Sequence, residues 1–122
     1  MSRLQESLRC FLTVEGVRTA MLIDIATGMI VRSVGKPDPD LPAIAACVAD
    51  EARAARSALG AGEQPDDLVE ITTVTSGRLH VSRILHDRPS EGLLLFVDVE
   101  RSKSNVGLAS LRVGELAPAV LA

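Results

Sequence analysis

The stretch Gly92–Val99, GLLLFVDV, constrains this chain most, because it is apolar at both alternating sets of positions. In an extended conformation Leu93, Leu95 and Val97 point to one side and Leu94 and Phe96 to the other, so the strand must be covered above and below. It is predicted as the central strand of a sheet carrying helices on both faces. Pro89-Ser90-Glu91-Gly92 in front of it is turn chemistry, and the polar run from Glu100 to Asn105 closes its other end.

The rest of the chain can be read as what covers or extends that strand. Over Arg3–Val14, Leu4, Leu8, Phe11 and Leu12 recur at helical spacing, with Ser2 as N-cap and Gly16 as the stop. Val17–Ile25 is a second strand, apolar at the consecutive positions Ala20–Ile23 and therefore also covered on both faces. Ala26-Thr27-Gly28 reverses it into Met29–Val34, where Arg32 and Ser33 interrupt the apolar set as befits an edge strand. Gly35–Pro39 ends that strand.

Asp40 is the expected N-cap of a long helix running to about Leu59, with Pro42 early enough to cost no hydrogen bond. Leu41, Ile44, Ala45, Val48, Ala52, Ala55 and Leu59 fall on one arc at 100° per residue, which is the face for the sheet. After the breakers Gly60, Gly62 and Pro65, Leu68–Thr75 alternates with Glu70 among its polar positions, and Ser76-Gly77 makes a two-residue hairpin loop. Arg78–Leu85 returns with Leu79 and Val81 on one face and His80, Ser82 and Ile84 on the other. Beyond the central strand, Val106, Ala109, Val113, Leu116 and Val120 form the stripe of a final helix, capped by Ser104 or Asn105 and tolerating Pro118 near its end. The order is α-β-β-α-β-β-β-α in a single domain, residues 1–122.

Composition narrows the function classes. A net charge of −3, no Trp, no Tyr and two Phe leave neither a basic field for phosphates nor rings for bases, which argues against nucleic acid as a partner. No apolar run reaches the roughly 18 to 20 residues of a transmembrane segment, and MSRLQESLR lacks the basic-then-apolar order of a signal peptide, so a cytoplasmic protein is expected. Cys10 and Cys47 sit in helical patterns rather than in a paired framework.

Catalytic and ligand-binding constellations are sparse. Val34-Gly35-Lys36-Pro37 has neither the glycine spacing nor the Ser/Thr successor of a P-loop. His80 and His86 lack partners at metal-ligand spacing. Asp24 and Asp98 both end strands and are the one carboxylate pair that could serve as acid and base, although such residues more often cap turns. Ser76, Thr27 and the two cysteines have no evident activating neighbour. Neither an enzyme nor a cofactor or metal is therefore expected.

One further pattern lies on the long helix. Ala43, Cys47, Ala54 and Ala58 share an arc distinct from the sheet-facing one, bordered by Asp50, Glu51 and Ser57. A row of small side chains lets a second helix approach closely, but alanine is also simply a good helix former, and periodicity does not separate the two.

EGVRTAMLID, the turn ending in TG, LGAGEQPDDLVEITTVTSGRLHVSRI and above all LLLFVDVERSKSNVGLASLR resemble the roadblock / dynein light-chain domain over nearly the whole chain. The resemblance implies an α+β fold (α/β in the broad sense): a five-stranded, mainly antiparallel sheet with one long helix on one face and two shorter helices on the other. It further implies a homodimer in which the long helices pack antiparallel and the sheets join along Leu68–Thr75. That would place Ala43, Cys47, Asp50, Ala54, Ser57, Ala58, Glu70 and Thr72 at the dimer interface. Roadblock proteins bind rather than catalyse, serving small Ras-like GTPases as regulators or scaffolds, and in bacteria similar chains occur with a sensor kinase and a polarity GTPase. Arg53 and Arg56 are the candidate GTPase contacts, though not as arginine fingers. The same kind of sheet resembles profilin and sensor domains, which keeps a small-ligand or partner-binding module without a GTPase as the alternative, and a purely structural tether as a third.

Overall fold

The computed structural model describes residues 2–85 and 92–121, so His86 and the expected turn at Pro89–Glu91 lie outside the described residues. Helix α1 (Arg3–Arg9) starts where Ser2 accepts the Gln5 N–H at 3.1 Å. The predicted helix to Val14 instead tightens into a 3₁₀ turn over Cys10–Thr13, with the Thr13 hydroxyl donating to the Cys10 carbonyl at 2.7 Å. Strands β1 (Val17–Asp24) and β2 (Ile30–Gly35) follow, then α2 (Leu41–Gly60), β3 (Glu70–Val74), β4 (Arg78–Leu85), β5 (Leu93–Glu100) and α3 (Val106–Leu116).

The five strands form one sheet in the order β2-β1-β5-β4-β3, and every neighbouring pair is antiparallel. β5 is central, as its two-sided apolarity requires. Leu95 and Val97 join Ala20, Leu22, Leu79 and Val81 beneath Leu8 and Phe11 of the N-terminal helical segment and Ala109 and Val113 of α3. Leu94 and Phe96 join Met21, Ile23 and Ile84 beneath Leu41, Ala45, Val48, Ala49 and Ala52 of α2. Fully buried side chains of this size each contribute roughly 1.5–3 kcal/mol, so the two layers are the main source of stability.

Several local expectations are corrected. Asp40 makes no capping bond; Asp38 instead accepts the Asp40 N–H at 2.9 Å, so the turn before α2 is fastened one step earlier. Leu59, expected against the sheet, is 39% exposed at the end of α2, whereas Ala49 is buried because the β1–β2 turn at Gly28 packs on it. α3 stops at Leu116 and continues only as a tight turn over Ala117–Ala119, since Pro118 cannot supply a helical N–H. Among the described residues no helix is long and apolar enough to cross a membrane.

Candidate functional site

On the outer side of α2, Ala43, Cys47, Asp50, Ala54, Ser57 and Ala58 are all exposed, and they form a continuous line of small or short side chains along the helix. The flank of α2 beside this line is occupied. A Cβ added at Gly28 would stand 3.1 Å from Ala46 Cα, so the β1–β2 turn lies directly on the helix, and φ of +74° there suits glycine. The Cys47 thiol is pushed above its ordinary value by loss of surrounding water and by the Glu51 and Asp50 carboxylates, which keeps it a thiol at neutral pH.

β3 is one of the two edge strands of the sheet, β2 being the other. The Ile84 N–H donates to the Val69 carbonyl at 2.9 Å and the register continues without a shift, so 69, 71 and 73 turn their backbone groups to β4. Glu70, Thr72 and Val74 consequently direct theirs outward. Their side chains go elsewhere. Glu70 accepts from the Ser110 hydroxyl of α3 at 2.6 Å and from the Thr72 hydroxyl at 3.2 Å, and pairs with Arg83 at 3.4 Å. The predicted interface residues thus divide into two groups. The α2 residues offer side chains on one face of the sheet, while Glu70 and Thr72 offer only backbone at the edge and keep their side chains on the α3 face.

Arg53 and Arg56 are less available than their sequence positions imply. The Arg53 guanidinium donates to the carbonyls of Ile25 and Ala26 and pairs with Asp50, clamping α2 to the β1–β2 turn. Arg56 is half-buried and already has a partner.

The proposed carboxylate pair does not exist. Asp24 lies opposite Leu93 and Asp98 opposite Thr19, at the two ends of the antiparallel β1–β5 ladder. Asp24 is a turn residue, accepting from the Ala26 N–H at 3.2 Å and the Thr27 hydroxyl at 3.1 Å. Asp98 is a buried carboxylate facing Arg78 at 3.5 Å and His80 at 3.3 Å, with Arg18 at 4.0 Å. Arg18 also pairs with Glu100, and that hydrogen bond, followed by the nearby Lys103, lowers the Glu100 carboxyl below its usual range. This network was not legible beforehand, because it depends on the β4–β5 register that brings His80 beside Asp98. Among the described residues no three His, Cys, Asp or Glu side chains are placed to hold a metal ion.

No protein-family model and no curated relative matches the sequence. Solved structures do. The gliding protein MglB from Thermus thermophilus is similar over 97% of this chain and 85% of its own, with 21% identity and a TM-score of 0.78. A roadblock/LC7 domain from Streptomyces avermitilis matches over 98% of this chain and 95% of its own at 16% identity, also with a TM-score of 0.78. An MglB with a tetrameric arrangement matches over 97% and 85% at 24% identity, with a TM-score of 0.76. The chain has the roadblock/LC7 fold.

Proposed function

We propose that this chain is a dimeric, non-catalytic regulator or scaffold that binds a small Ras-like GTPase in a bacterial signalling or polarity system, in the cytoplasm. The observation that carries this reading is the exposed small-residue line on α2, set on a roadblock fold whose β3 edge is free and regular. Two such lines can interdigitate at close range about a two-fold axis, and the outward backbone groups of β3 can pair with their counterparts in the second copy. The dimer then offers a broad composite face rather than a cavity, which suits a folded protein partner. The structural similarity to gliding-protein MglB favours a regulatory role, with a sensor kinase or another signalling protein as a further partner. The small-ligand alternative calls for a pocket between sheet and helix. Among the described residues, a cleft beside α3 and one of about 310 Å³ at Gly28–Ile30 and Pro42 both lie outside the packed layers.

The experiment is a binding titration of the purified dimer with small Ras-like GTPases of the source organism, each loaded with GDP or with a non-hydrolysable GTP analogue. A complex selective for one nucleotide state is the expected result, and the chain alone should hydrolyse no GTP. An intact dimer that binds none of them in either state overturns the GTPase reading.

A further inference from the structure

The face of the sheet away from α2 carries a second surface. Leu108 and Leu111 of α3 are 46% and 58% exposed, although their neighbours Ala109 and Val113 are 2% and 1% exposed in the core. With half-buried Val14 from the turn before β1 they line an open cleft of about 290 Å³, rimmed by Glu15, Arg112 and Glu115. That volume is at the small end of the roughly 300–1,000 Å³ typical of drug-sized sites, and it suits side chains inserted from a protein segment.

The rim charges are unequal. Arg112 and Glu115 satisfy one another at 3.3 Å, whereas exposed Glu15 makes no ion pair or hydrogen bond among the described residues. The groove is therefore apolar along its floor with one uncompensated carboxylate at its lip.

The geometry points to this cleft as a docking groove for a partner segment that inserts a large aliphatic side chain between Leu108 and Leu111 and places a Lys or Arg against Glu15. The aliphatic anchor removes apolar surface from water, and the cation supplies orientation more than affinity, because an exposed ion pair contributes little on its own. A second copy of this chain fits less well where the two-fold axis passes through the cleft itself, since the two Glu15 carboxylates would then face one another. Lying across the sheet from the α2 line, the groove can be filled while α2 is engaged, which would make the chain a two-sided adaptor. The inference stands without the GTPase reading.

The test uses the ¹⁵N-labelled full chain, titrated with a short leucine–lysine amphipathic peptide and with its leucine–glutamate counterpart. The lysine peptide should bind preferentially, with chemical-shift changes centred on Val14, Leu108 and Leu111. Leu111→Glu should weaken that binding by roughly tenfold or more, and Glu15→Lys should reverse the preference towards the glutamate peptide. Both side chains are exposed, so an unchanged unfolding transition certifies each variant, and neither should alter the dimer mass. Failure of the lysine peptide to bind, equal binding of both peptides, shifts mapping to α2 or β3, or a mass change in Leu111→Glu each overturns the proposal, the last by identifying a second copy as the occupant.

Discussion

At one edge of the sheet, β2 pairs with β1 through a ladder whose register shifts between Leu22 and Ile23, leaving Val31 as an extra residue beside exposed Arg32. At the other edge, β3 pairs with β4 residue for residue from Glu70 to Val74 with no shift. A bulge and a charge twist and solvate an edge so that another strand cannot add to it, whereas a regular strand rich in Thr and Val presents its outward N–H and C=O groups in register. The contrast teaches where a second copy can extend the sheet. β2 is guarded and β3 is open; both flank in sequence the helix that carries the exposed small-residue line, so it is the form of the edge and not its place in the chain that separates them.

The largest expected effect lies at the guarded edge. Gly35 sits at φ +105°, and a Cβ there would stand 2.2 Å from the Arg18 carbonyl oxygen and 2.9 Å from Thr19 Cα. Both neighbours are backbone of β1, so neither can give way without parting the strands. Gly35→Ala should cost about 3 kcal/mol or more, the sum of left-handed strain and overpacking. Urea unfolding measures it, and a loss below about 1 kcal/mol, no more than an ordinary point substitution costs, would mean that this close approach is not maintained in solution.

The open edge should instead respond in assembly. If the α2 line is the two-fold seam proposed above, Ala54→Arg places two guanidinium groups in it and should weaken the proposed dimer by several tens-fold or more while the monomer stays folded, since overpacking alone costs about 1–3 kcal/mol. Thr72→Pro removes an outward-facing N–H without touching the β4 ladder, a position where an edge strand tolerates proline, and should weaken the dimer less. Light scattering across a dilution series reads both. If both variants keep the parent mass at every dilution, the α2 line reflects helix propensity alone and β3 is a solvent-facing edge.

Much of this architecture was legible because burial leaves a period in the sequence. Gly92–Val99 had to be central, and the alternation in Arg78–Leu85 placed Leu79 and Val81 opposite His80 and Ile84, as observed. What period cannot reveal is which distant residues a fold brings together. Arg53, a candidate contact from the sequence, is indeed exposed, yet its guanidinium is already shared among the carbonyls at 25 and 26 and the Asp50 carboxylate, with the β1–β2 turn settled on α2 at Gly28. Asp24 and Asp98 looked alike as strand-terminal carboxylates, but antiparallel pairing sends them to opposite ends of the sheet. Glu70 was placed correctly on the edge strand, while the direction of its side chain depended on α3 arriving with Ser110 from 40 residues away.

The smallest expected effect separates the backbone of the open edge from its side chains. The Glu70 carboxylate is one-sixth exposed and joins Ser110 of α3, Thr72 and Arg83, so it ties β3 to the helix above it. Glu70→Gln keeps the shape and can still accept from Ser110, but it loses the charge that faces Arg83. Hydrogen bonds to charged groups contribute about 1.5–3 kcal/mol when buried; partial solvent access at this site reduces the expected loss to about 1 kcal/mol. Urea unfolding should register that loss while the mass of the proposed dimer stays constant, if its copies join through the outward N–H and C=O groups of residues 70, 72 and 74 rather than through this carboxylate. A variant of parent stability that dissociates on dilution would reverse the assignment and put the Glu70 side chain itself in the contact between copies.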